Sequence, residues 1–362
     1  MIDQKQAAQG LMANHTLVEQ ELLLGLEGCT LRLRSNHKPL IEQLRHYFDH
    51  VVVQQADHID LDMVAVECPA TDLGLSFTDW KREPGKSGRK DAYVDLSDGR
   101  MVQKVRTGMV FLQSEENRIA AGPCMANDNQ VINFINAQYM NWLQHRNWLI
   151  CHASGLVLGD RGMGIAGFSG GGKSTLMLML LEDERVHYLT NDRLFIQGSK
   201  DGVEGVGIPK LPRINPGTIV SNPRLHGLMT PERRQELLDL PKDVLWELEE
   251  KHDVLVGQVY GEGRIDLRAP LTHLLILNWS RDSQEPTLVS QIDMNQRREL
   301  LSAVMKSPGP FYQYPNGSFL QDTTPLDPDP YMAVLEGVAI YEVTGQLDIQ
   351  AATKQAMALL GG

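Results

Sequence analysis

Gly164-Ile165-Ala166-Gly167-Phe168-Ser169-Gly170-Gly171-Gly172-Lys173-Ser174-Thr175 is the stretch whose reading decides the fold. Gly167, four residues, and then Gly172-Lys173-Ser174 make a phosphate-binding loop of the Walker A type. Glycines let the backbone curl so that several N–H groups point at one anion. Lys173 brings a point charge for β- and γ-phosphates, and the Ser174 hydroxyl suits Mg²⁺. Gly167, Ser169, Gly170, Gly171, Gly172, Lys173, Ser174 and Thr175 are therefore the candidate nucleotide-binding residues, with ATP and Mg²⁺ as the expected ligands.

The neighbourhood of the loop fits. Residues 155–167 read as a strand, a tight turn and a second strand entering the loop. Thr175 to Glu182 is a run of Leu and Met, which are good helix formers. A helix there points its positive N-terminal end at the phosphates. By contrast, Pro84-Gly85-Lys86-Ser87 also contains Gly-Lys-Ser, but Trp80 stands where the first glycine is needed. That segment reads as a solvated loop among Lys81, Arg82, Arg89 and Lys90.

Two further groups lie at informative distances. His152 ends the apolar run Trp148-Leu149-Ile150-Cys151, twenty-one positions before Lys173. Taken alone, such a histidine is more often a satisfied core residue. Asn191-Asp192 follows the run Val186 to Thr190, which puts Asp192 at the end of a buried strand, where ligands collect in α/β sheets. Its residue type suits a general base, a metal ligand or a turn.

These residues resemble the HPr kinase/phosphorylase superfamily, whose fold is related to that of phosphoenolpyruvate (PEP) carboxykinase. The resemblance rests on His152-Ala153-Ser154-Gly155, on Gly167 to Ser174, and on Asn191-Asp192-Arg193. It covers about residues 148 to 200 and is nearest to the HPr kinase-related branch, of its B type. The resemblance implies a P-loop kinase core of α/β class. It implies Asp192 as general base, Lys173 on the γ-phosphate, His152 at the transferred phosphoryl group, and Ser174 and Asp192 as Mg²⁺ ligands. The family usually carries two adjacent aspartates, whereas the first position here is Asn191, which cannot ionise. No Glu-Ile-Arg-Gly stretch is present either. Both departures argue against a reverse phosphorylase activity and against the HPr protein as acceptor.

Composition sets the outer bounds. Of 362 residues, 42% are apolar and 22% charged, which is ordinary for a soluble globular chain. There is no run of eighteen apolar residues and no secretory leader, so the expected location is cytoplasmic. A net charge of −12 without a basic stripe disfavours nucleic acid and anionic membranes. Cys29, Cys68, Cys124 and Cys151 are far apart, with no Cys-x2-Cys pair, and read as reduced, mostly buried thiols rather than a zinc site.

Elsewhere the pattern is mixed. Residues 1–24 read as helical, Thr30 to Arg34 as a strand, and Leu40, Leu44 and Phe48 as one helix face. Val51-Val52-Val53 reads as the start of a strand, and Asp98-Gly99 as a hairpin turn. A helix over 129–145 with Asp128 as N-cap opens the kinase core. Pro209 to Gly217 is a stiff basic loop that reads either as plain surface or as a site where Lys210 or Arg213 holds a phosphate of ATP or of the acceptor, Arg213 being the better fit for phosphate oxygens. Helices are expected from Thr230-Pro231, over 243–250 and over 294–305. Residues 218–260 are by position a candidate lid or acceptor-binding segment, with Lys251, His252 and Asp253 in reach of the site. Arg264 suits either a phosphate contact or a structural role. The apolar run 271–279 reads as a central strand.

The expectation is an α+β accessory domain over 1–125 and a kinase domain over 126–362. The accessory domain is open to acceptor recognition, homo-oligomer formation or covering of a sheet edge. The expected reaction is transfer of the γ-phosphate of ATP to a hydroxyl on a protein or a small molecule, with a regulatory ATPase as the rival. The carboxykinase reaction itself needs a second metal site that the sequence does not assemble.

Overall fold

The computed structural model describes residues 2–81, 88–168 and 170–361. The chain divides into two units, one from Met1–Trp148 with Ser307–Leu326, the other from Leu149–Lys306 with Asp327–Gly362. Both are mixed α/β.

The first unit is an eight-stranded sheet. Its strands are β1 (Glu21–Leu26), β2 (Cys29–Ser35), β3 (Leu61–Glu67), β4 (Thr78–Asp79), β5 (Asp91–Asp95), β6 (Arg100–Lys104), β7 (Met109–Gln113) and β8 (Arg118–Gly122). They lie in the order β1-β2-β3-β8-β7-β6-β5-β4. Helices α1 (Gln4–Met12), α2 (Lys38–Tyr47) and α3 (Asp128–Gln144) complete the unit. Leu40 and Leu44 of α2 are buried, as their four-residue spacing requires. The Asp98-Gly99 hairpin joins β5 to β6 in antiparallel register. Phe311, from the returning segment, packs on Phe111 and Phe134 at 5.4 and 5.1 Å between ring centroids.

Several expectations are corrected here. The first helix ends at Met12, and Leu22 and Leu23 belong to β1. Pairing of Leu22 with Leu33 and of Leu24 with Leu31 buries those side chains, and this outweighs leucine's helix preference. Val51 closes a short 3-10 turn (Asp49–Val51), Val52 makes only an isolated bridge to Leu24, and the next strand waits until Leu61. Asn127 holds the cap position of α3, while Asp128 is its first helical residue and accepts from Gln43 Nε2 at 2.5 Å. Helix α3 lies within the first unit, so the division falls after Trp148 rather than after residue 125. The reason is non-local: Asn141 and His145 of this region bond to the carbonyls of Phe311 and Gln313.

The second unit is a nine-stranded sheet. In chain order its strands are β9 (Leu149–Cys151), β10 (Ala153–Leu158), β11 (Arg161–Gly167), β12 (Val186–Thr190), β13 (Leu194–Ser199) and β14 (Gly202–Gly207). The short pair β15 (Arg213–Ile214) and β16 (His252–Asp253) stands apart from this sheet, which then continues with β17 (Arg268–Leu277), β18 (Leu288–Gln291) and β19 (Ala339–Thr344). The helices are α4 (Lys173–Leu180), α5 (Pro216–Ser221), α6 (Pro231–Leu238), α7 (Lys242–Glu247), α8 (Val256–Tyr260), α9 (Leu301–Val304), α10 (Asp329–Leu335) and α11 (Ile349–Leu360). Helices α7 and α9 are shorter than the expected spans 243–250 and 294–305.

Strand β17 is the spine. It runs parallel to β11 and to β19, and its first residues pair antiparallel with β14. The strand–turn–strand reading of 155–167 corresponds to the antiparallel pair β10–β11. Gly162 matters to this arrangement because a Cβ there would stand 2.2 Å from the Pro270 carbonyl oxygen.

Candidate functional site

Strand register brings three distant segments to one end of the second unit's sheet. On β10, Ala153 lies opposite Ala166 of β11, so His152 stands beside Gly167, where the glycine-rich loop begins. Two residues along β10, Gly155 lies opposite Thr190, so Asn191-Asp192 emerges at the same end. Leu194, the first residue of β13, lies opposite Cys151. The main chain is fixed there by His152 N–H donating to Val304 O at 2.7 Å and by Ser154 Oγ donating to Asn191 O at 2.6 Å.

The loop itself leads into α4. Gly170 and Gly172 have φ of 76° and 86°, which glycine adopts without strain, and Gly172 is the N-cap. The helix begins at Lys173, two residues before the expected start. Lys173 Nζ turns back over the loop and donates to Gly167 O at 2.7 Å. Trp279 Nε1, just past β17, donates to Gly171 O at 2.9 Å. Thr175 Oγ1 and Thr218 Oγ1 are 3.0 Å apart, which ties α4 to α5. Ser169 lies outside the described residues, and so do the decoy Pro84 to Ser87 and Arg82.

Asp192 is the electrostatic centre. Its Oδ1 is 3.4 Å from His152 Nε2, and its Oδ2 is 2.5 Å from Arg193 Nη1. Burial on its own would raise this carboxyl, but Arg193, His152 and Lys210 together hold it well below the usual carboxylate range. The hydrogen bond to Asp192 favours the charged form of His152. Burial and the nearby Lys173 and Lys306 outweigh it and lower the imidazole. Lys173 is pushed down to about 8, first by burial and then, against the pull of Asp192, by Lys306 and Arg193.

The basic loop is anchored from the same strand. Tyr188 Oη, on β12, donates to Lys210 O at 2.6 Å. Burial, opposed by Asp192 and reinforced by Arg193, Arg213 and Lys251, pushes Lys210 down to about 8. Arg213 and Asp253 face each other across β15–β16, with Nε 2.9 Å from Oδ1. This short ladder ties the segment carrying Lys251, His252 and Asp253 to the basic loop. Arg264 is structural. Its buried guanidinium donates from all three nitrogens to the carbonyls of Leu181, Asp183, Val186 and Tyr260, which commits it to the main chain around α4 and β12. Cys151 is fully buried and its thiol is pushed up by burial alone, in keeping with a strand neighbour that points away from His152.

Three of these groups escaped sequence reasoning. Arg193 carried no role of its own, although its place beside Asp192 was a usable signal. Lys306 follows α9, 154 positions from His152, and nothing local marks it. Trp279 ends an apolar strand and reads as core. Among the described residues, no group of three His, Cys, Asp or Glu is placed to hold a metal by itself, and no helix is long and apolar enough to cross a membrane.

No protein-family model matches the chain, and no curated protein matches it. Among solved structures, the Hpr(Ser) kinase/phosphatase from Coxiella burnetii is similar over 59% of this chain and 93% of that one, at 11% identity and a TM-score of 0.29. A likeness of that size carries no functional argument.

Proposed function

We propose that the chain is an ATP-dependent phosphotransferase acting on a hydroxyl acceptor. The observation that carries this reading is the convergence of His152, Lys173 and Asp192 at the end of one sheet, set by the registers of β10 with β11 and β12. Phosphoryl transfer is mostly positioning and charge neutralisation, and this end of the sheet supplies both.

In this reading the backbone of Gly167 to Thr175 cradles the phosphates of ATP. Lys173 exchanges its carbonyl partners for the β- and γ-phosphates. The Ser174 hydroxyl and the Asp192 carboxylate are hard oxygen donors, and Asn191 Oδ1, next to Asp192 in the chain, is buried with no hydrogen-bond partner among the described residues, so the residue types fit Mg²⁺. Mg²⁺ would neutralise charge on the phosphates. Asp192 stays ionised at neutral pH and accepts the proton of the acceptor hydroxyl. A loose transition state asks more for alignment of that hydroxyl than for a strong base. His152, neutral at that pH, orients Asp192 and faces the phosphoryl group.

The test is transfer from γ-labelled ATP into a cleared cell extract, with Lys173→Ala as control. Label in a protein or small-molecule fraction that vanishes in the control supports the reading. Free phosphate as the sole product sinks it in favour of an ATPase.

A further inference from the structure

The cations at the site exceed what one nucleotide needs. Lys173 belongs to the phosphate loop, and Arg193 is held by Asp192. Lys210 is different. It is partly buried, it faces Asp192 together with Arg193, Arg213 and Lys251, and among the described residues it forms no ion pair. Its loop is also not free to swing away. Tyr188 holds the Lys210 carbonyl, Lys210 N–H donates to Ile208 O at 2.7 Å, and β15 is zipped to β16 three residues on.

Asp192 is the one carboxylate facing this half-buried ammonium, against the three cations Arg193, Arg213 and Lys251, and a further anion would offset the cost of that imbalance. In a chain of net charge −12, this local excess of positive charge is the opposite of the average surface. Lys210 leads out of β14, the hairpin partner of β13, whereas the phosphate loop leads out of β11. Asp192 interacts by charge with both Lys210 and Lys173. A nucleotide on the loop and a second anion at Lys210 would therefore flank the proposed base.

We infer that Lys210 anchors an acceptor subsite for a small anionic alcohol, a molecule carrying a carboxylate or phosphate as well as the hydroxyl that is phosphorylated. A small molecule is favoured over a protein surface because Lys210 is recessed rather than displayed. The inference rests on the phosphotransferase reading. It adds the acceptor's charge and the residue that reads it.

The experiment separates the two. Full-length protein is first titrated with the non-hydrolysable nucleotide AMP-PNP and Mg²⁺, which probes the phosphate loop alone. With that loop saturated, glycerate, glycerol 3-phosphate, 3-phosphoglycerate and neutral glycerol are then titrated by calorimetry, on wild type and on Lys210→Met and Lys210→Arg. The expected result is that at least one anionic alcohol binds and glycerol does not. Lys210→Met should weaken that binding at least tenfold while AMP-PNP affinity stays within about threefold, and Lys210→Arg should recover part of it. Binding of none of the anions, equal binding of glycerol, or equal anion affinity in Lys210→Met would each overturn the subsite. Failure of AMP-PNP to bind would instead remove the kinase reading. In that case the anion titrations, run without nucleotide on Lys173→Ala, still decide whether Lys210 binds an anion.

Discussion

Arg100 in the first unit and Lys210 in the second are both cations withdrawn from solvent, and they are treated in opposite ways. Arg100 is completely buried, makes a paired contact with Asp95, and donates to the carbonyls of Pro310 and Leu320. Tyr93 and Phe319 stack on it at 4.4 and 4.7 Å. Every demand of the group is met inside the fold. Lys210 is held just as firmly by its backbone, yet its ammonium forms no ion pair among the described residues and has Asp192 as the one carboxylate against Arg193, Arg213 and Lys251. A charge whose partners are all internal is structural. One left among like charges points to something that arrives later. Arg264 shows that the distinction is not one between the two units, because all three of its nitrogens donate to carbonyls within the second.

The contrast can be broken by mutation. The largest effect belongs to the proposed chemistry: Lys173→Ala or Asp192→Asn should lower phosphoryl transfer by about 10²–10⁴-fold with the circular dichroism spectrum unchanged. Retained transfer in either would detach the loop from the function. Next in size, Arg100→Met and Arg264→Met should each cost about 3 kcal/mol in urea unfolding, since both strand buried oxygens without donors. A loss below about 1 kcal/mol would mean the internal partners matter less than their geometry suggests. Lys210→Met should behave oppositely, with an unfolding free energy within about 0.5 kcal/mol of wild type or above it.

A pH series sharpens the same point. Lys210 and Lys173 sit at about 8 in the folded chain, against 10.5 ordinarily. Between those values the unfolded chain binds more protons, so unliganded stability gains from these groups as pH rises from about 8 to 10.5. Below about 8 their full cost is present. The stability advantage of Lys210→Met over wild type should therefore shrink as pH climbs through that window. A constant difference would show that Lys210 keeps its proton throughout. The smallest effect concerns thiols. Cys29, pushed up to about 12 by burial, and the buried Cys124 and Cys151 should resist iodoacetamide at pH 8, while the half-buried Cys68 reacts first, as peptide mapping would show.

The sequence made local features readable and non-local ones obscure. The β10–β11 hairpin, the loop and α4 each carry their signal within a dozen residues, and each is found there, α4 starting two residues early at Lys173. Leu22-Leu23 misled because leucine suits helix and buried strand alike, and only pairing with β2 decides between them. Helix α3 was read correctly as a helix and assigned to the wrong unit, because its partners at 311 and 313 lie about 170 positions away. At the site, the glycines, Lys173 and Asp192 were legible as types. The pairing of Asp192 with Arg193, the approach of Lys306 and the isolation of Lys210 depend on chain crossings that no local spacing encodes.

The indole of Trp279 has a consequence for the laboratory. It is bonded through its N–H to the Gly171 carbonyl, and its ring also lies 3.5 Å from where a Cβ on Gly172 would stand. Indole emission responds to the polarity and hydrogen bonding of its surroundings. Any ligand that reshapes the glycine loop must disturb this bond, so the chain carries a built-in optical gauge of loop occupancy. Trp80, Trp142, Trp148 and Trp246 set the background, and a Trp279→Phe variant isolates the one signal that matters. Occupancy of the loop can then be followed in real time by stopped flow, without a label and before any acceptor is known.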